Sequence, residues 1–204
     1  MDLKATYNRI AEDWSRDHHG DTWWVEGTDT FVSFLKPESL VLDVGCGAGV
    51  KSQYLLGKGL EVVGVDFSEK MIEIAKREVP GATFYVADIK DLSGLQETFD
   101  GILAQAVLLH IPKAEAGAVV RGLRDKLVNG GYLYIAVKQK REGGREEEVL
   151  KENDYGYEYE RFFSYFTLPE IQKYVADAGM EMRYENVALS GHTNWIQVIC
   201  RKIP

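Results

Sequence analysis

Tyr7, Ile10, Ala11 and Trp14 recur at helical spacing within a polar stretch and predict an amphipathic helix over residues 4–17. His18-His19-Gly20-Asp21 ends it. A short helix over 27–35 follows, and Pro37 breaks the pattern. From there apolar runs alternate with helical periodicity. Strands are predicted at 40–44, 61–65, 83–86, 99–104 and 132–137. Helices are predicted at 49–57, at 68–78 with Ser68 as N-cap, and at 113–127, stopped by Asn129-Gly130-Gly131. Strands that are apolar almost throughout are buried on both sides, so this alternation predicts an α/β fold: a parallel sheet with helices on both faces.

The pattern changes after the fifth strand. Residues 138–148 are a charged stretch around Gly143-Gly144 and read as a solvated, mobile excursion. Tyr155, Tyr157, Tyr159, Phe162, Phe163, Tyr165 and Phe166 crowd the next segment. Thr167 and Glu170 have capping-box spacing for a helix that runs to Ala178 and stops at Gly179. Strands at 180–188 and 193–201, joined by Ser190-Gly191-His192, are predicted to form an antiparallel hairpin.

A chain of 204 residues with 45% hydrophobic and 27% charged residues has ordinary globular composition and can bury a full core. This excludes a disordered chain. No apolar run reaches the roughly 20 residues of a membrane helix, so no membrane partner is expected. The polar start, MDLKATYNRIAEDW, has no apolar signal region. Two cysteines, Cys46 and Cys200, make no disulfide framework, and a cytoplasmic location is expected. The formal net charge of −8 argues against nucleic acid as a partner.

Between the first strand and the next helix stands Asp43-Val44-Gly45-Cys46-Gly47-Ala48-Gly49. Glycines there allow a tight turn and close approach of the backbone to a ligand, and the helix N-terminus behind them favours an anionic group. In open α/β sheets this crevice, at the carboxyl ends of the strands, is where ligands bind. The third glycine comes one residue early for a dinucleotide fingerprint, with Val50 in its place, and this argues against a nicotinamide cofactor. Asp66 ends the second strand, where a carboxylate can accept both hydrogen bonds of a ribose diol. Asp88 follows the third strand, where it can accept from an adenine amine while Ile89 packs on the ring. A single aspartate of this kind reads equally well as a strand-end turn residue. Three at successive strand ends, with a glycine loop, point to a nucleoside site.

These residues resemble the class I S-adenosylmethionine-dependent methyltransferases, over nearly the whole chain from Tyr7 to Lys202. DVGCGAG (43–49), GVDFS (64–68) and VADI (86–89) resemble three ordered family motifs. FDGILAQAVLLHI (99–111) resembles the strand and loop on the methionine side, and YNRIAEDW (7–14) the N-terminal helix that lids the cofactor in the small-molecule branch. The resemblance implies a Rossmann-like three-layer sandwich whose seven-stranded, mostly parallel sheet has an antiparallel last strand. It also implies one domain over 1–204, with a helical lid at 1–36 and the mobile aromatic-rich insertion at 138–166 near the acceptor site. The implied cofactor is S-adenosylmethionine, with S-adenosylhomocysteine as product. Its implied contacts are Tyr7, Trp14, Asp43, Gly45, Cys46, Gly47, Gly49, Asp66, Phe67, Ser68, Met71, Ala87, Asp88, Ile89, Gln105 and Ala106.

Methyl transfer from a sulfonium is an in-line displacement with a neutral leaving group, so it requires positioning and exclusion of water more than a dedicated acid or base. His110, after the fourth strand, is the candidate base or orienting residue, its alternative being a histidine that shapes the loop. His18, Trp23, Trp24, His110, Tyr157 and Phe163 are the candidate acceptor contacts, whereas Trp195 reads as sheet packing. His18 and His19 diverge on a helix and have no third partner, so no metal site is expected. The acceptor is expected to be a small molecule, and the protein a monomer or homodimer. An RNA or protein methyltransferase is the alternative, as is a non-catalytic cofactor-binding module. Glu146-Glu147-Glu148 directly after Lys138, Lys140 and Arg141 opposes a phosphate-binding surface.

Overall fold

The computed structural model describes residues 2–203. Helices α1 (Leu3–His18) and α2 (Val25–Val32) precede the first strand. Then follow β1 (Leu40–Val44), α3 (Val50–Gly57), β2 (Glu61–Asp66), α4 (Glu69–Glu78), β3 (Thr83–Val86) and β4 (Phe99–Gln105). A single 3-10 turn, Leu108–His110, leads into α5 (Lys113–Asp125) and β5 (Leu127–Lys138). The chain closes with β6 (Glu147–Glu152), β7 (Tyr159–Ser164), α6 (Leu168–Asp177), β8 (Met180–Ser190) and β9 (Thr193–Lys202).

Seven strands form one sheet in the order β3-β2-β1-β4-β5-β9-β8. β1, β2, β3, β4 and β5 pair in parallel, and β9 enters antiparallel between β5 and β8. The α/β architecture and the antiparallel closing strand are therefore as the sequence implied. Alternate residues of a strand feed opposite layers. Leu42, Val44, Val63 and Val65 pack with α5 (Val119, Val120, Leu123) and α6 (Ile171, Val175). Val41, Val62 and Leu103 pack with Phe31 of α2 and Leu55 of α3 on the other side. At Gly101 the α2 segment lies close against β4: a Cβ there would stand 2.7 Å from the Phe31 ring and 3.1 Å from Leu35.

Local chemistry explains the element ends. Asp2 caps α1 through its carboxylate, and the Ser68 hydroxyl accepts from the Met71 N–H at the start of α4. The Thr167–Glu170 capping box is formed. Several boundaries move from their sequence positions: α2 lies at Val25–Val32 instead of 27–35, α5 ends at Asp125, and β5 begins at Leu127 and runs through Gly130-Gly131. The glycines lie within the strand, at an irregular step of the β4–β5 register.

The largest departure is in the segment after β5. Residues 147–152 and 159–164 pair as a separate two-stranded ribbon instead of an excursion without strands. Its charged alternation hides a strand because one face is solvated and the other is covered by aromatic side chains. The ribbon is fastened to the rest of the molecule. The Ser164 hydroxyl donates to the Ile111 carbonyl at 2.7 Å, and Arg9 of α1 donates to the Glu158 carbonyl. Tyr159 is buried against Tyr7, Ile10 and Ala11 of α1. Helix α1 thus packs between α4, through Met71 and Ile74, and the ribbon.

Gly101→Ala is expected to cost about 1–3 kcal/mol, because Phe31 is fully buried and cannot move aside. Gly94→Ala, where a Cβ meets nothing, is the control. Urea denaturation of the two variants checks this.

Candidate active site

The strand order reverses between β1 and β4, and the loops that leave the carboxyl ends of these strands splay apart there. The glycine loop fills one side of this opening. Gly45 and Gly47 have φ of 68° and 53°, which β-carbon-bearing residues rarely adopt. At Gly47 a Cβ would also meet the Trp14 ring at 3.3 Å. The loop is held from both ends. Gly45 and Cys46 donate their N–H groups to the Val65 carbonyl, and Gly47 donates to Asp66 Oδ2 at 3.0 Å.

Asp66 is 7% exposed, and its second oxygen accepts from the Ser68 N–H at 2.9 Å. Burial pushes its pKa up to about 6, against those two backbone hydrogen bonds. Asp43 is more enclosed still and accepts from the Ser52 hydroxyl at 2.7 Å, so it ties β1 to the first turn of α3. Burial raises its pKa too. The Cys46 thiol is pushed far above its usual range by burial and by Asp43, and is not a nucleophile.

Two cavities meet at His110. One is lined by Gly45, Asp66, Phe67, Ala87, Asp88 and Ile89. The other, of about 310 Å³, is lined by Tyr7, Trp14, His18, Trp23, Trp24 and Phe163 and reaches Cys46 and Ala48 of the glycine loop. The predicted nucleoside residues are thus brought together on one side of His110 and most of the predicted acceptor residues on the other. Ala106, at φ 60° after β4, lines the second cavity, a strained position of the kind kept at sites.

Other predicted contacts stand elsewhere. Asp43, Gly47, Gly49, Ser68 and Met71 line neither cavity and act as supports for the loop, for α4 and for α1. Gln105 is buried beneath, donating to the Tyr134 hydroxyl at 3.3 Å while its Oε1 has no partner among the described residues. Tyr157 donates to Asp13 on the outer side of α1, with Arg9 over its ring. Trp195 departs from its reading as sheet packing: it borders the cavity and stacks on Trp23 at 3.9 Å. Three cations, Lys51, Lys138 and Arg161, also line this cavity; the sequence marked Lys138 only as part of a basic stretch and did not single out the other two. Only the ribbon and the β5–β9 pairing deliver Lys138 and Arg161.

His110 Nδ1 lies 2.7 Å from the Phe162 carbonyl, which can only accept, so Nδ1 carries the proton. Nε2 then accepts from the Tyr7 hydroxyl, also at 2.7 Å. Burial lowers the His110 pKa to about 3, and Arg161 and Lys138 oppose its charged form further. The imidazole is neutral at physiological pH with both nitrogens engaged. It joins α1, the 3-10 turn and the ribbon.

Residues 41–131 match the model of a methyltransferase domain. Ubiquinone biosynthesis O-methyltransferase of Coxiella burnetii is 32% identical over 149 residues, 65% of this chain and 59% of that protein. Probable tRNA methyltransferase 9B of Homo sapiens is 32% identical over 125 residues, 59% of this chain and 26% of that one. The chain therefore spans less than two thirds of these curated relatives. Among solved structures, Burkholderia thailandensis 1,6-didemethyltoxoflavin-N1-methyltransferase, with bound 1,6-didemethyltoxoflavin and S-adenosylhomocysteine, superposes with a TM-score of 0.78 at 18% identity. That match covers 99% of this chain and 88% of the other. The fold is that of the class I S-adenosylmethionine-dependent methyltransferases.

The His110 imidazole is expected to show the Nδ1–H tautomer and no titration between about pH 5 and 8, because burial has moved its protonation well below that window. Ring 15N shifts across this range check it.

Proposed function

We propose that the protein binds S-adenosylmethionine and transfers its methyl group to a small-molecule acceptor. One observation carries this reading: the glycine loop and the buried Asp66 carboxylate open onto a cavity that continues past His110 into an aromatic chamber. The donor set fits the cofactor. Asp66 keeps lone pairs beyond its two backbone partners for a ribose diol, Asp88 and Ile89 suit an adenine edge and face, and Lys51 at the start of α3 suits a carboxylate.

When bound, the cofactor supplies a methyl on a sulfonium whose departure leaves a neutral thioether. The chain's own task is to place the acceptor and keep water out. The rings of Tyr7 and Trp14, at the cavity wall, suit a positive sulfur. We assign His110 a positioning role in place of a base: its one lone pair holds the Tyr7 hydroxyl, and its basicity is far below neutral pH.

A chamber of about 310 Å³, walled by α1 on one side and the ribbon on the other, suits a compact acceptor better than a nucleic acid or a folded protein. We read the chain as one methyltransferase domain, with residues 1–36 as its lid. Helix α1 adds no strand and reaches the site through Tyr7 and Trp14. A cover that must open for ligand exchange is less stable than the sheet beneath it.

Asp66→Ala removes the proposed ribose acceptor and is expected to weaken S-adenosylhomocysteine binding about ten- to a hundredfold in calorimetry. In the parent, affinity is expected to fall as pH drops through about 6, where Asp66 takes up a proton and loses an acceptor site. Unchanged binding in Asp66→Ala would remove the ribose placement. For the lid, hydrogen exchange over residues 4–24 is expected to slow markedly when S-adenosylhomocysteine is added; equal rates with and without it would make α1 fixed core.

A further inference from the structure

We propose that the acceptor is a planar aromatic molecule bearing a negatively charged oxygen, and that Lys138 selects it. This rests on the methyltransferase reading of the same site and adds the chemistry of the acceptor. Lys138 ends β5, directly opposite Trp195 on β9, so both side chains leave the same face of the sheet at the cavity. The Lys138 ammonium stands 4.1 Å from the centre of the Phe163 ring. The stacked pair of Trp23 and Trp195 stands at the same cavity. The chamber therefore offers flat apolar walls with the Lys138 ammonium among them.

Among the described residues that cation has no hydrogen bond or ion pair, whereas the charged groups near it are already committed. Arg161 is held by Glu152 through two bonds of 2.6 Å. Glu148 accepts from the Tyr165 hydroxyl, and Arg141 donates to the His192 carbonyl. The cavity's own carboxylate, Asp21, acts on Lys51. A half-buried ammonium without a counter-ion is costly, and an anion from outside repays that cost. The same cations, Lys51, Lys138 and Arg161, oppose an amine or other positively charged acceptor. A neutral aromatic would use the walls and leave Lys138 unpaired. Burial and Arg161 lower the Lys138 pKa to about 8, so an anion bound there draws a proton onto it in mildly alkaline solution.

The test uses tryptophan fluorescence of the full chain with S-adenosylhomocysteine saturating. Sodium 2-naphthoate is expected to bind roughly tenfold more tightly than 2-naphthamide, the neutral analogue of the same shape, with 2-naphthylmethylammonium weaker than both. Lys138→Met is expected to bring acid and amide within about twofold while S-adenosylhomocysteine affinity stays as in the parent, and Lys138→Arg to retain the preference. Equal binding of acid and amide by the parent overturns the proposal, as does a preference that survives in Lys138→Met, or no binding of any probe. The parent comparison requires no variant to fold. Failure of S-adenosylhomocysteine to bind in calorimetry is a separate result that removes the methyltransferase reading; acid against amide on the protein alone then still decides the anion site.

Discussion

An open parallel sheet has one place where neighbouring strands send their following segments in opposite directions, and here it falls between β1 and β4. The glycine loop leaves β1 and the Ala106–His110 segment leaves β4, and a gap opens between them. The functional geometry depends on that gap. The tight turn after β1 is possible because Gly45 and Gly47 accept positive φ, and it is locked because their N–H groups, with that of Cys46, are used by Val65 and Asp66 of the next strand. Asp66 therefore has two tasks, fastening the loop and facing the cavity. Its burial keeps it close to half-protonated near pH 6.

A second set of interactions roofs the gap. Helix α1 and the ribbon belong to no layer of the sandwich, and each would be a poor fold alone. A two-stranded ribbon in water is marginal, and α1 has only a narrow apolar stripe of Tyr7, Ile10 and Ala11. They stabilise each other through Tyr159 on that stripe and through His110, whose two nitrogens are spent on Tyr7 and on the ribbon backbone. A histidine so placed is worth more as a joint than as a base.

Charge is divided unevenly between surface and site. The chain carries a net charge of −8, yet the aromatic cavity beside the glycine loop is bordered by Lys51, Lys138 and Arg161 with Asp21 as its carboxylate. Net charge describes the average field over the surface. The local field in a partly desolvated chamber is set by the few groups that line it, where screening by water is weak.

The sequence by itself determined the sheet, its crossover helices and the strand-end positions of the residues proposed to hold a nucleoside. Apolar runs of strand length, caps such as Ser68 and Thr167–Glu170, and the loop from Asp43 to Gly49 are local signals, and their physics acts over a few residues. So do Asp66 and Asp88, which sit at strand ends that periodicity locates. The aromatic cavity proposed for the acceptor was legible only in part. His18, Trp23, Trp24 and Phe163 meet at the cavity, but Tyr157 turns outward to Asp13. Trp195 and Lys138 reach the cavity because β9 pairs antiparallel with β5 in one particular register. The strands at 147–152 and 159–164 escape a reading of periodicity because each gains its partner only from the other. Strand register and ribbon pairing join residues dozens of positions apart, and the hydrogen bonds that decide them exist only once the chain has folded.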